Sequence, residues 1–218
     1  MERIRNLIHK GHDPYADFVP RKQDIQGWAS TSPAFLKCIQ ELKPKRIIEV
    51  GTWKGCSALF MAKTCIEEGY NDFEIVCIDT FLGSWEFFTT MPEFLAPSQK
   101  IHGRAHIYEQ FLSNVIHTNL TNHITPFPID SVNGALCLKH WNVQADLIYI
   151  DAGHDYDSVF ADLTLYKDLV RPGGYLLGDD WFHVPIKEAV EDALGEVQTL
   201  SHDKFLWIRP NEPSQQTN

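Results

Sequence analysis

A chain of 218 residues, 44% hydrophobic and 22% charged, has the size and composition of a single soluble globular domain. Its formal net charge of −10 repels polyanions, which argues against a nucleic-acid or anionic-membrane partner. Five cysteines, Cys38, Cys56, Cys65, Cys77 and Cys137, are odd in number, widely spaced and without a CxxC pair, so they read as reduced core thiols of a cytoplasmic protein and not as a disulfide framework or zinc site.

The opening MERIRNLIHKGHD has no apolar stretch long enough for a signal peptide, and no later run could span a bilayer. Residues 1–27 are polar and without a firm period, which reads as an arm or partly helical flap. Residues 28–210 read as a single domain with an insertion near 81–104, and 211–218 as a disordered tail. Ser32 followed by Pro33 is a helix start, Phe35, Leu36, Ile39 and Leu42 supply the apolar face, and Pro44 ends it. Arg46 to Val50 is a first strand apolar enough to be buried on both faces, and Ser57 to Glu68 the helix that follows.

Between them, Gly51 and Gly55 bracket a turn at whose end a helix N-terminus aims free N–H groups over the sheet edge. A dinucleotide fingerprint would need its second glycine where Trp53 stands, and an indole there blocks backbone approach to a pyrophosphate. Glu49, just before the turn, also repels phosphate and suits a cationic or hydroxyl-bearing ligand. Glu74 to Ile78 is the second strand, and Asp79-Thr80 at its tip suits a ribose diol. The stretch from Phe81 to His123 exceeds the usual connection. Its first half carries Trp85, Phe87, Phe88, Met91 and Phe94 and reads as a substrate lid, a dimer surface or local core; its second half has helical spacing through Tyr108, Phe111, Leu112, Val115 and Ile116.

Ile124 to Ile129 is a third strand closed by Asp130-Ser131, the start of another helix. Asp146 to Ile150 is the fourth and ends in Asp151-Ala152-Gly153-His154. A helix from Asp155 to Val170 follows, broken by Arg171-Pro172-Gly173-Gly174. Tyr175 to Leu177 is the fifth strand, ending in Asp179-Asp180. Ile186 to Leu194 is a last helix, and Glu196–Leu200 with Lys204–Ile208 a closing hairpin. The pattern predicts an α/β fold: a doubly wound, mostly parallel seven-stranded sheet with a C-terminal antiparallel hairpin. Asp151, Asp179 and Asp180 then meet at one sheet edge, where they repel unless a hard cation joins them, Mg²⁺ first with Mn²⁺ or Ca²⁺ able to substitute.

The turn sequence EVGTWKGCSA resembles the class I S-adenosylmethionine-dependent methyltransferases, in particular a small-molecule type of methyltransferase family 24. IDAGHDYDSV and PGGYLLGDDW are similar to the acidic segments of metal-dependent O-methyltransferases. The resemblance spans roughly Gln26 to Trp181. It implies the Rossmann-like class I fold, S-adenosylmethionine held by Glu49, Gly51, Thr52, Gly55, Ser57, Asp79, Thr80, Asp130, Ser131 and Asp151, and Mg²⁺ held by Asp151, Asp179 and Asp180. His154 falls where such enzymes keep a general base, with Asp155 in reserve. The implied reaction is methyl transfer to a hydroxyl of a small sugar-like or secondary-metabolite substrate, since the Asp-Asp pair departs from the Asp-Asn of catechol enzymes. A homodimer fits the same picture. The alternatives are a catalytically inactive cofactor-binding module, a nicotinamide-dependent oxidoreductase on the same kind of sheet, or a hydroxylase-like relative.

Overall fold

The computed structural model describes residues 3–95 and 100–211; the tail expectation for 212–218 lies outside the described residues. Nine strands are found there: β1 Arg46–Val50, β2 Glu74–Asp79, β3 Lys100–Ile101, β4 Arg104–Ala105, β5 Ile124–Pro128, β6 Ala145–Ile150, β7 Val170–Gly178, β8 Gln198–Thr199 and β9 Phe205–Ile208. Seven of them form one sheet in the order β5-β2-β1-β6-β7-β9-β8, and β3 pairs with β4 separately. The strands from β5 to β7 pair in parallel, while β9 runs antiparallel to both of its neighbours. The helices are α1 Ile4–His9, α2 Pro33–Leu42, α3 Cys56–Glu67, α4 Glu86–Thr89, α5 Ile107–His117, α6 Ser131–His140, α7 Tyr156–Tyr166 and α8 Val184–Leu194. None is long and apolar enough to cross a membrane among the described residues.

Each central strand is apolar on both faces because helices cover both. Ile47, Ile75, Leu147, Tyr149 and Leu177 pack with α2, α3 and α5 in one layer. Their neighbours Ile48, Val76, Ile148, Ile150 and Leu176 pack with α6, α7 and α8 in the other. The period of two carries past the strand ends. Residues 49, 77, 149 and 179 therefore belong to the α2/α3 side of the sheet, an alternation that decides where the polar side chains of the rim meet.

Three elements depart from the sequence expectation. The helix expected to reach Val170 ends at Tyr166 and continues as a 3-10 turn over Lys167–Leu169. The Arg171–Gly174 breaker lies inside β7, where the register to β6 shifts between Ala145 and Leu147. Gly173, at φ +71°, makes that bulge, and its N–H donates to the Arg209 carbonyl at 2.9 Å, so the irregular stretch is still paired. The expected strand Glu196–Leu200 contracts to Gln198–Thr199, at the sheet's outer edge with both residues exposed.

The arm at 1–27 carries a docked helix. Glu74, buried in β2, accepts the Ile4 and Arg5 N–H groups at 2.8 and 2.9 Å, completing α1, whose own N-cap Arg3 offers no side-chain bond. Farther on, Asn114 of α5 accepts the Asp24 N–H at 3.0 Å and donates to the Asp24 carbonyl at 2.9 Å, which straps the arm across α5.

The β1–α3 turn is fixed from below. Glu49 is fully buried and its carboxyl group accepts the Thr52 and Ser57 hydroxyls, with the Cys77 thiol 3.6 Å away. Burial pushes its pKa from 4.5 up to about 7. Between these values the folded chain keeps a proton that the unfolded chain has released, so rising pH costs stability through that window and the cost is constant above it. The shift corresponds to a cost on the order of 3 kcal/mol. Glu49→Gln keeps the shape and the acceptor but cannot ionise. It is expected to flatten this part of the stability curve when urea midpoints are compared at about pH 4.5, 6 and 8; a wild-type pH dependence in the variant would remove Glu49 as its source.

Candidate active site

The functional rim is the carboxyl edge of β1, β2, β5, β6 and β7. At its centre Gly51 adopts φ +82°, and a Cβ there would stand 1.9 Å from the Asp151 carbonyl oxygen. Only glycine allows the first turn to lie this close to the end of β6. Gly55, at φ +88°, is the N-cap of α3, and no side chain caps that helix, so its first-turn N–H groups remain open to a ligand.

A cleft of about 280 Å³ sits over this turn, bordered by Gly51, Thr52, Ser57, Asp79, Thr80, Asp130, Ser131, Asp151 and His154 of the expected set. Two expected residues stand apart from its wall. Glu49 lies beneath, occupied by Thr52 and Ser57, and Gly55 acts through the backbone geometry of the α3 start. Asp79 Oδ2 accepts the Thr52 and Trp53 N–H groups at 2.9 and 2.8 Å, and Oδ1 accepts Phe81 N–H at 2.6 Å. Three of its roughly four acceptor positions are thereby taken, which leaves room for one hydroxyl. Burial raises the Asp79 pKa against the pull of these three bonds. Asp130 caps α6 through Asn133 N–H at 2.9 Å, and its bonds to Asn133 hold its pKa below the ordinary value.

The roof of the cleft is aromatic. Trp53 packs against Phe87 at 4.7 Å and Trp28 at 6.5 Å, and Phe94 closes the group against both Trp28 and Phe87. Phe87 and Phe94 come from the 81–95 segment, whose Trp85 and Phe88 remain exposed at 61% and 58%. That segment so supplies both roof and open apolar surface. Trp53 Nε1 is buried and without a hydrogen-bond partner, as is Glu86 Oε2 of α4.

The acidic residues collect beside the cleft, around a second cavity of about 10 Å³ bordered by Asp151, His154, Asp179 and Asp180. Asp151, His154 and Asp180 each present one ligand atom within 4.8 Å of the other two. His154 Nε2 lies 3.2 Å from Asp180 Oδ2, and Nδ1 lies 3.7 Å from Glu86 Oε1. Burial and the nearby Asp179 hold the Asp151 pKa well above the ordinary carboxylate range, and burial raises that of Asp180. Asp179 is engaged elsewhere: its Oδ1 accepts Lys204 Nζ at 2.6 Å and Asp180 N–H at 2.8 Å. The Tyr149 hydroxyl lies 2.9 Å from both Asp179 Oδ2 and Asp151 Oδ2. Asp155 is the N-cap of α7, with both oxygens bonded to Ser158 at 3.0 and 2.7 Å.

Several participants escape a reading of the sequence. Lys204 is fully buried; its one signal is a cation placed directly before the apolar FLWI run. Tyr149 reads as an ordinary core ring of β6. Lys54, inside the turn and buried, donates to Asp24 Oδ2 at 2.6 Å and Gln26 Oε1 at 3.0 Å and so draws the strap bearing Gln26 and Trp28 over the cleft.

Comparison with known proteins gives the family and the fold. A family model described as a methyltransferase domain, methyltransferase family 24, covers residues 48–181, more than half of the chain. No curated protein sequence matches. Among solved structures, the O-methyltransferase NovP superposes with a TM-score of 0.59 at 18% identity, over 82% of this chain and 78% of that one. The O-methyltransferase from Bacillus cereus in complex with S-adenosylhomocysteine gives 0.57 at 14% identity, over 94% and 90%. TomG from Streptomyces achromogenes, an O-methyltransferase of tomaymycin synthesis in complex with S-adenosylmethionine, gives 0.58 at 15% identity, over 87% and 83%. At these identities the likeness is one of fold, and the family match supplies the rest: the chain belongs to the methyltransferase-domain family and folds as a class I methyltransferase.

Proposed function

We propose that the protein transfers a methyl group from S-adenosylmethionine to a hydroxyl of a small sugar-like or secondary-metabolite substrate, assisted by a divalent cation. One observation carries this reading: the turn cleft and the acidic cavity share Asp151 and His154 on a single rim. The family match supports the methyl transfer, and the complexes of the Bacillus cereus and TomG enzymes, named for S-adenosylhomocysteine and S-adenosylmethionine, support the donor.

The residues present fit both groups. For the methyl donor, the remaining acceptor position of Asp79 suits a ribose hydroxyl, the uncapped start of α3 and the unpartnered Trp53 Nε1–H suit a carboxylate, and Asp130 with Ser131 borders the far end of the cleft. For the cation, Asp151 and Asp180 offer the one or two carboxylates that Mg²⁺ takes alongside water and substrate oxygens; Mn²⁺ or Ca²⁺ suits the same donors. A bound divalent ion would lower the pKa of a substrate hydroxyl and fix its oxygen.

The chain's own residues do the remaining work. His154, half exposed and set between Asp180 and Glu86, takes the hydroxyl proton and passes it to solvent. Trp28, Trp53 and Phe87 wall the cleft and keep water from the methyl group, so that the acceptor oxygen is held in line. The spacing of Asp151, His154 and Asp180 supports one competing role for His154, as a ligand to the ion in place of base. A nicotinamide reading has little support, because Trp53 stands in the turn at φ +50° where a glycine is needed.

Three measurements test this. S-adenosylhomocysteine at a hundredfold excess over its Kd should raise Tm by about 5–10 °C and NAD should not; the reverse result overturns the donor. Asp180→Asn should cut turnover at least about 100-fold while S-adenosylhomocysteine affinity stays within about threefold; full turnover would dismiss the cation. His154→Gln should lose turnover and retain metal binding by calorimetry, whereas loss of metal binding would assign it as a ligand.

A further inference from the structure

We propose that Lys204 is a positioning residue that withdraws Asp179 from the cation site, so that two carboxylates and not three face the ion. The proposal rests on the cation reading above and names the control on that same site. Lys204 is fully buried, and its ammonium bonds Asp179 Oδ1 at 2.6 Å and Asp203 Oδ2 at 3.2 Å. It also lies 5.6 Å from the centre of the Tyr149 ring and 5.8 Å from that of Phe35, whose faces accept part of its charge. The lysine thus lies in the layer of α2 and holds Oδ1 of Asp179 there, so that Asp179 borders the small cavity while the ligand atoms that converge on it come from Asp151, His154 and Asp180.

Counting acceptors gives the same answer. Lys204 and the Asp180 N–H occupy Asp179 Oδ1, and the Tyr149 hydroxyl reaches Oδ2, which leaves about one of its four positions. A phenol has one proton to give, so Tyr149 donates to Asp179 or to Asp151 at a given moment and ties the two carboxylates together. Asp179 is a strut on this geometry. It fixes the backbone of Asp180 and, through Tyr149, the side chain of Asp151. The site then keeps the low carboxylate count with which Mg²⁺ is held loosely enough to exchange with substrate.

The direction of the effect separates this from a merely structural role. Lys204→Met removes the ammonium at similar volume and frees Asp179 to face the ion, so Mn²⁺ affinity, read by electron paramagnetic resonance of the free ion, should tighten by about tenfold or more. Damage to the fold would weaken it instead. The double variant Asp179→Asn with Lys204→Met removes both charges, leaves no unpaired buried carboxylate, and should hold Mn²⁺ within about threefold of the wild type. Two results overturn the proposal: a folded Lys204→Met protein that binds Mn²⁺ no more tightly than wild type, or a double variant that loses affinity about ten- to a hundredfold, as removal of a true ligand would cause. Absence of Mn²⁺ binding by the wild-type protein would instead overturn the cation reading, and the proposal with it.

Discussion

The site depends on one close approach, that of the Gly51 backbone to the Asp151 carbonyl. Any side chain at residue 51 would occupy the space of that oxygen, so the first turn and the end of β6 are locked into a common position. The hydrogen bonds from Gly51 N–H to the Ile78 carbonyl and from Asp151 N–H to the Val50 carbonyl, at 2.9 and 2.8 Å, extend the parallel ladder to this contact. The cleft on one side and the acidic cavity on the other thereby inherit their separation from the sheet itself.

Around that contact the fold manages a surplus of negative charge, part of it buried. Each carboxylate has its own answer. Glu49 favours the protonated form, Asp79 gathers backbone N–H groups, Asp130 and Asp155 cap helices, and Asp179 takes an ammonium. Asp151 is met by the Tyr149 hydroxyl and Asp180 by His154, and burial holds both pKa values up. Burial of like charges is costly unless paired, and these two carboxylates are the ones that the proposed cation would join.

The fold was legible because its signals are local. The apolar runs at β1, β2 and β6, the Ser32-Pro33 start and the two glycines of the turn each specify an element without help from distant residues. The cleft residues followed, since they sit at strand tips whose order the topology dictates. Lys204, Tyr149 and Lys54 did not, because each is held by a partner 25 to 30 positions away, and no local pattern announces it. The β7 bulge hid for a related reason: Pro172-Gly173-Gly174 is a breaker by composition, and only pairing to Arg209 keeps it in the sheet.

The strap across α5 gives the cleft a mechanical character. Its anchor, Lys54, belongs to the turn that forms the floor of the cleft, and the chain beyond Gln26 carries Trp28 into the roof. Floor and ceiling are thus one linkage, and the height between them is set by a single buried ammonium.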